Sequence, residues 1–277
     1  MCVLLDTHSP ISIAGPKPFL TFNYNENRVS LFKIGILKFT LYCLIWTVLA
    51  CKTIMGPFMQ VDLEKIKKLP PDVRKDFMKM ALKLNEKKKI SKINSDFLTF
   101  VKHIWPEFIE GQHHKIIAKK FNEMAEGKLK RLIVNMPPRH TKSEFASSLL
   151  PAWMIGRNPK LKIIQTTHTG ELAIRFGRKA KTLMDSPEYK QVFETRLRED
   201  SQAAGRWETA QGGEYFAAGV GGAITGRGAD LLIIDDPHSE QDALNMTALE
   251  RAYEWYTSGP RQRLQPGGTI VCVMTRW

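Results

Sequence analysis

The loop that contains Lys142 holds the side chains of this sequence that are best suited to chemistry. Residues 132–136 are an apolar run that predicts a strand, and the loop Pro137 to Glu144 follows them before a helical pattern begins. Between a strand and a helix, the backbone amides of such a loop can bind phosphate. A lysine there can reach the β and γ oxygens, and the next hydroxyl can bind magnesium. We therefore predict that Lys142 contacts nucleotide phosphates and that Ser143 binds the metal ion.

The loop departs from the usual glycine-rich pattern, because Met136 and Thr141 stand where glycines are expected. A β-branched residue resists a positive φ angle. We therefore expect the loop to follow a path that needs no positive φ at Thr141. The alternative is an ordinary helix start at Lys142 and Ser143, but the position directly after a buried strand favours phosphate binding.

A second candidate lies at residues 231–236, where four large aliphatic residues precede Asp235 and Asp236. In nucleotide hydrolases with a phosphate loop, the first acid of such a pair holds the magnesium shell. The second orients or deprotonates the attacking water. The alternative is a capping or turn pair before Pro237. The lysine and serine upstream favour a metal role for Asp235 and a catalytic role for Asp236.

Two further positions extend the candidate site. Thr275 follows the apolar run 269–274, and a hydroxyl at such a strand end can contact a γ-phosphate. The neighbouring Arg276 can relay the presence of that phosphate to an element that grips DNA. Arg227 lies in the glycine-dense segment 219–230, where a guanidinium can neutralise charge that develops on a transferred phosphoryl group. Pairing of Arg227 with a nearby acid is an alternative of nearly equal weight.

The elements that must position these residues alternate between strands and helices. The predicted strands are 132–136, 161–166, 215–220, 231–234 and 269–274, and the predicted helices are 143–155, 170–184 and 243–257. This alternation predicts an α/β fold with a mostly parallel sheet flanked by helices. Ligands of such sheets bind at the carboxyl ends of the strands, where the candidate side chains stand.

The N-terminal part has a different character. Residues 61–89 predict two short basic helices separated by Pro70 and Pro71, and residues 95–108 and 111–124 predict two more. Residues 31–51 are apolar, but lysines interrupt them, and a spanning helix needs about 20 apolar residues. A membrane anchor, an uncleaved signal-like segment and a translated stretch outside the functional protein are the three interpretations. Composition favours the third, so a membrane partner is not expected.

The composition favours a polyanionic partner. Lysine and arginine total 41 against 28 acidic residues, a formal charge of +13, which suits nucleic acid, although exposed lysines on helices are an alternative explanation. The four cysteines show neither a CxxC pair nor zinc-ligand spacing. They therefore predict no structural zinc and no disulfide framework, and they indicate a reducing cytoplasm.

In combination, these blocks resemble the large terminase subunits of tailed bacteriophages over residues 95–277. The matching segments follow the family's order: 112–114, 136–144, 166–173, 221–237 and 274–277. The resemblance implies a P-loop NTPase fold of the additional-strand type that uses ATP and Mg²⁺. It divides the chain into an extension at 1–58, a helical lid region at 59–110 and an ATPase domain at 111–277. The nuclease domain of the family is not expected in this chain.

The resemblance also implies a role for individual residues. Nucleotide contacts would come from Gln112, near the adenine, and from Pro138, Arg139, His140, Thr141, Lys142, Ser143 and Thr275. Ser143 and Asp235 would hold magnesium. The catalytic residues would be Asp236, Arg139 and Arg227, the last reaching into the site of a neighbouring subunit. The family often has glutamate where this chain has Asp236, and Glu240 is a weaker substitute for the base.

The implied function is a motor that couples ATP hydrolysis to movement of double-stranded DNA into a procapsid. The implied partners are DNA, a portal protein, a small terminase subunit and further copies of the chain in a homo-oligomeric ring. The implied location is the cytoplasm of the infected bacterial host, with a transient stay at the procapsid portal. A helicase-like motor and a nucleotide-binding remnant without turnover are the alternatives.

Overall fold

The computed structural model describes residues 70–275, except for the side chain of Gln202. Contacts divide the described chain into two units, residues 70–81 and residues 82–275. Every element of the candidate site belongs to the second unit. The predictions for residues 1–69, and those for Arg276, lie outside the described residues.

Three helices precede the sheet: α1 (Pro71–Ser95), α2 (Phe97–Ile104) and α3 (Gln112–Ala125). Proline is well tolerated in the first turn of a helix, so Pro71 begins α1 as predicted. Asp96 separates α1 from α2, because its carboxylate accepts a hydrogen bond from the backbone N–H of Thr99 at 2.8 Å. The predictions for α2 and α3 are confirmed within a few residues.

The rest of the chain alternates between strands and helices. Its elements in chain order are β1 (Arg131–Asn135), a π-helical segment (Glu144–Leu149) continued by α4 (Leu150–Arg157), β2 (Lys162–Thr167), α5 (Gly170–Asp185), α6 (Pro187–Val192), β3 (Leu197–Ala203), β4 (Arg206–Thr209), β5 (Glu214–Gly219), β6 (Ala229–Asp235), α7 (Met246–Ser258) and β7 (Leu264–Met274). Short 3₁₀ turns precede and follow α7 at Asp242–Leu244 and Pro260–Arg263.

The seven strands form one sheet in the order β1-β7-β6-β2-β5-β4-β3. The first five strands of this order pair in parallel, and β4 and β3 add an antiparallel edge. The predicted mostly parallel sheet flanked by helices is confirmed. All five predicted strands are present, whereas β3 and β4 were not predicted.

Apolar residues pack on both faces of the sheet, as expected for parallel strands. One face carries an aromatic core in which the ring of Phe97 meets those of Phe121, Phe145 and Trp153 edge to face, with centroids 5.0–5.4 Å apart. A smaller cluster on the other face contains Ile164 and Leu232, and Tyr256 of α7 packs against it. The sheet is therefore fixed between two helical layers, which holds the ends of its strands in place.

No helix within residues 70–275 is long and apolar enough to cross a membrane. The apolar segment 31–51 lies outside the described residues. Cys272 on β7 is a free thiol.

Candidate nucleotide site

The carboxyl ends of β1, β7 and β6 meet at one edge of the sheet. Asn135 pairs with Met274, and Val273 pairs with Asp235, so these three strands end at the same level. The loop after β1, Asp236 after β6 and Thr275 after β7 therefore converge there, as the sequence predicts.

Lys142 lies at the centre of this edge and is only 6% exposed. Its ammonium Nζ lies 2.8 Å from Oδ2 of Asp236 and donates to Oγ1 of Thr275, also at 2.8 Å. Asp236 accepts two further hydrogen bonds, from the backbone N–H of Thr275 at 2.5 Å and from its hydroxyl at 3.2 Å. The three residues thus form one buried polar group built from three strand ends.

Asp235 lies beside this group and is 1% exposed. Ser143 donates to its Oδ1 at 3.0 Å, and Ser147 donates to its Oδ2 at 2.6 Å. Gln165 of β2 in turn donates to the Ser147 hydroxyl at 3.1 Å. Burial raises the pKa of Asp235 to about 6, and the serine hydrogen bonds oppose this rise.

Ser147 and Gln165 were not predicted from the sequence. Ser147 lies four residues after Ser143 on the same helical segment, so both hydroxyls face the same way. That spacing is a usable signal once Asp235 is identified as their partner. Gln165 is buried within β2, but Thr166 and Thr167 follow it in the same strand, so the sequence gives no signal that singles it out.

Backbone strain is concentrated at this site. In the described part of the chain, the non-glycine residues with positive φ are Arg139 at 63°, Thr141 at 61° and Asp236 at 41°. Such conformations persist where surrounding contacts enforce them, and they cluster at ligand-binding loops. The prediction that Thr141 avoids a positive φ was therefore wrong. The loop keeps the path of a glycine-containing loop, and hydrogen bonds of the Thr141 hydroxyl hold it there.

The remaining predicted contact residues surround the loop. Pro138, Arg139 and His140 are exposed on it, and the His140 ring contacts the carbonyl oxygen of Pro138 at 2.8 Å. Gln112 is exposed in the first turn of α3. His114, two residues later in that turn, contacts the Thr141 hydroxyl at 2.6 Å. The structure thus brings the start of α3 to the loop.

Arg227 lies elsewhere. It forms an ion pair with Glu214, the first residue of β5, and its guanidinium lies 4.1 Å from the ring centre of Phe216. Glu214 and Gly219 are opposite ends of β5, about 16 Å apart at the usual rise per residue. Arg227 therefore contacts an acid near the amino ends of the strands, away from the loop of its own chain. Glu240, the weaker candidate base, is exposed beyond β6.

The donor set at the loop fits a magnesium ion that is shared with phosphate. Magnesium prefers oxygen ligands, and beside a nucleotide it takes one or two from the protein. Ser143 and Asp235 provide a hydroxyl and a carboxylate oxygen 3.0 Å apart. Within residues 70–275, no group of three or more His, Cys, Asp or Glu residues could hold a metal alone. Ser143 and Asp235 could therefore hold a magnesium ion only together with oxygens from a bound phosphate.

The described chain thus combines a mostly parallel α/β sheet with a strand-loop-helix unit at whose edge a buried lysine and two carboxylates meet. No model of a known protein family matches the sequence, and no curated protein matches it significantly. Among solved structures, the crystal structure of the HK97 bacteriophage large terminase is similar, with 11% identity and a TM-score of 0.44. The similarity covers 65% of this chain and 37% of that terminase.

Proposed function

We propose that this chain is an ATP hydrolase and that it acts as the motor of a DNA-packaging terminase. The observation that supports ATP hydrolysis most directly is the convergence of Lys142, Asp236 and Thr275 within hydrogen-bonding distance at the carboxyl edge of a parallel sheet. Asp235 with Ser143 supplies the adjoining metal position. The packaging role rests on the order of the sequence blocks that resemble large terminases.

The contacts of Lys142 provide a way to couple binding to catalysis. Its ammonium is nearly buried and shares Asp236 with Thr275. A nucleotide phosphate in the loop would attract the same ammonium, since phosphate offers several anionic oxygens. Asp236 would then lose its cation and keep the hydrogen bonds from Thr275. A carboxylate freed in this way can accept a proton from an attacking water, so nucleotide binding itself would prepare the base.

Ser143 and Asp235 would hold Mg²⁺ when it accompanies the nucleotide. The ion would supply charge neutralisation on the phosphate oxygens. Asp235 is kept in place for this task by two serine hydroxyls, one of them supported by Gln165. The ionised form of Asp235 is costly in the structure, because burial raises its pKa to about 6. A cation at this position would favour that ionised form.

Double-stranded DNA is the proposed polyanionic partner. The formal charge of the chain is +13. Within the second unit, α1 contributes exposed lysines at positions 83, 87, 88, 89 and 92. Contacts between lysines and phosphates grip DNA without reading its sequence. The proposed assembly is a ring of copies on a portal protein, loaded by a small terminase subunit in the host cytoplasm, with Arg227 acting on the site of the next copy.

The test is ATP hydrolysis by the full chain, with and without double-stranded DNA, for the parent, Asp236→Asn and Glu240→Gln. We expect Asp236→Asn to lower the rate on the order of 100-fold while the chain still binds ATP, because the amide keeps the shape and loses the base. Glu240→Gln is the matched control and should retain most of the rate. A large loss in Glu240→Gln with full activity in Asp236→Asn would reassign the base.

The partner is tested in the same assay. We expect the hydrolysis rate to rise with added duplex DNA and to rise more than linearly with protein concentration, as a ring requires. Separation of strands on a forked duplex would favour a helicase-like motor instead. Tight ATP binding with no turnover under any of these conditions would contradict the motor proposal.

A further inference from the structure

Thr141 is the point of the loop where sequence and backbone disagree. Its φ of 61° lies in the left-handed region, which a β-branched residue adopts only at a cost. A glycine would adopt it freely. Some contact must therefore hold Thr141 in this conformation, and the contacts of its hydroxyl identify that contact.

A continuous chain of hydrogen bonds runs through this hydroxyl. The backbone N–H of Gly111 donates to Nδ1 of His114 at 2.8 Å. Since Nδ1 accepts, a neutral His114 carries its proton on Nε2 and donates it to Oγ1 of Thr141 at 2.6 Å. The hydroxyl then donates to the backbone carbonyl of His140, also at 2.6 Å. Each member of the chain has a defined direction, so the hydroxyl of Thr141 is fixed from both sides.

The surroundings of His114 keep it in the neutral form that this chain requires. The side chain is buried, with 6% exposure, and its ring centre lies 4.7 Å from that of Phe108 and 5.0 Å from that of Phe145. Burial lowers the pKa of His114, and nearby His113 lowers it further. A protonated His114 would donate from both ring nitrogens and would lose the hydrogen bond from Gly111.

An ordinary buried histidine would also pack well between Phe108 and Phe145. Packing alone, however, does not require His114 to form a hydrogen bond with Thr141, the β-branched residue of the loop that has a positive φ. The His114 ring, in the first turn of α3, contacts both Thr141 and Phe145. The N–H of Phe145 in turn donates to the Thr141 carbonyl at 3.0 Å, so Thr141 is held through its side chain and its backbone. His114 is thus placed to support the loop directly.

We infer that His114 is a positioning residue for the phosphate loop and that its hydrogen bond to Thr141 replaces the conformational freedom of a missing glycine. This inference rests on the proposed nucleotide-binding function of the loop. It predicts that the effect of His114 on the loop and on nucleotide affinity depends on residue 141 being a threonine. If residue 141 could adopt a positive φ without strain, the support from His114 would become largely unnecessary.

The test is a double-mutant cycle in the full chain, with His114→Phe, Thr141→Gly and the double variant. His114→Phe keeps an aromatic ring between Phe108 and Phe145 and removes both hydrogen bonds. The readouts are the affinity for the slowly hydrolysed analogue ATPγS with Mg²⁺ and the exchange rate of the backbone amide of Phe145, which donates to the Thr141 carbonyl. The exchange measurement needs no nucleotide.

We expect His114→Phe alone to weaken ATPγS binding about tenfold, the value of a lost hydrogen bond with its strained residue. On top of Thr141→Gly, the same change should weaken binding by less than about twofold. Equal losses in both backgrounds would overturn the inference, because they would show a role in packing or in direct contact. His114→Gln, whose amide can still donate to Thr141, should recover part of the loss.

The exchange measurement separates this inference from the proposed function. His114→Phe should accelerate exchange at the Phe145 amide, whose acceptor is the Thr141 carbonyl, and leave the amides of β5 protected, which shows that the fold is intact. Unchanged exchange at Phe145 would overturn the inference even if ATPγS binds. Failure of the parent to bind ATPγS, with accelerated exchange in His114→Phe, would contradict the proposed function and leave His114 as a support of the loop.

Discussion

Charged residues differ in their partners and in their exposure between the carboxyl and the amino ends of the parallel strands. At the carboxyl end, Lys142, Asp235 and Asp236 are wholly or largely buried and depend on a few partners from distant parts of the chain. At the amino end of β5 and along the antiparallel edge, Arg227 pairs with Glu214, and Arg198 pairs with Glu208. These four side chains are 18% to 45% exposed, so each is more open to solvent than Lys142 at 7%, whereas Asp236 at 26% falls within the same range.

Backbone strain and a deeply buried carboxylate occur together at the carboxyl end of the strands. The carboxyl end holds one acid whose pKa burial raises to about 6, together with three residues of positive φ. Ion pairs at the other end already balance their charges, and exposed pairs of this kind contribute little to stability. Backbone strain and the costly burial of Asp235 are both found at the carboxyl end, which is where the proposed ligand would bind.

The strongest test of this contrast compares lysines at the two ends. Lys130 precedes β1 and donates to the carbonyl oxygen of Gly267 at 2.9 Å, whereas Lys142 follows β1 at the carboxyl end. We expect Lys142→Ala to weaken ATP binding on the order of 100-fold, because a buried charge-assisted contact to phosphate is lost. Lys130→Ala should leave affinity within about twofold. Comparable losses in both, measured by equilibrium binding, would remove the distinction.

A smaller effect is expected from Asp235→Asn on stability. The pKa of Asp235 is about 6 in the folded chain against a reference of 3.8. The folded state therefore holds the extra proton between these pH values, and this residue lowers stability as the pH rises through that window. Above pH 6 the cost is on the order of 2–3 kcal/mol.

Thermal unfolding without metal should therefore show Asp235→Asn melting a few degrees above the parent at pH 7.5, with the gap closing near pH 4. Saturating Mg²⁺ and ATPγS should stabilise the parent more than the variant, since the carboxylate is the proposed metal ligand. A variant that is no more stable than the parent at pH 7.5 would show that burial of this charge is fully compensated.

The smallest effect is expected at the amino end. Arg227→Ala should lower the free energy of unfolding by about 1 kcal/mol, through loss of the ion pair with Glu214 and of the contact with Phe216. ATP binding by the isolated chain should not change. Chemical denaturation of Arg227→Ala, Glu214→Gln and the double variant would isolate the pair. A loss of ATP binding in Arg227→Ala alone would mean that the two ends are coupled.

The sequence predicted the parallel strands well, because buried strands such as β6 are nearly continuous apolar runs. It missed β3 and β4, whose residues include Arg198, Glu199, Asp200 and Arg206. Both strands belong to the antiparallel end of the sheet, where one face is open to solvent, so they carry charged residues and no apolar run to detect. The sequence predicted a helix over residues 143–155 but not that Glu144–Leu149 is π-helical, because the residues of this segment fit the pattern of an ordinary α-helix.

The candidate site was predicted through residues that follow strands, since parallel strands bring their carboxyl ends together. Lys142, Asp235, Asp236 and Thr275 meet as predicted. The φ of Thr141 was not predictable from its own preference, because the deciding contact comes from His114, 27 positions earlier. Arg227 lies two residues before the start of β6, and a parallel strand begins at the edge opposite its carboxyl end. Its distance from the site therefore followed from the predicted strands, although its partner Glu214 did not.

The strand order has a consequence for how the chain is made. β7 lies between β1 and β6 in the sheet but follows both in the chain, and the contact between Lys142 and Thr275 spans 133 positions. A ribosome that has released only β1 to β6 has therefore produced a sheet that lacks the strand between β1 and β6. The lysine at β1 and the carboxylates at β6 would be too far apart to cooperate. The proposed nucleotide site would thus form only when β7 has emerged and inserted between β1 and β6.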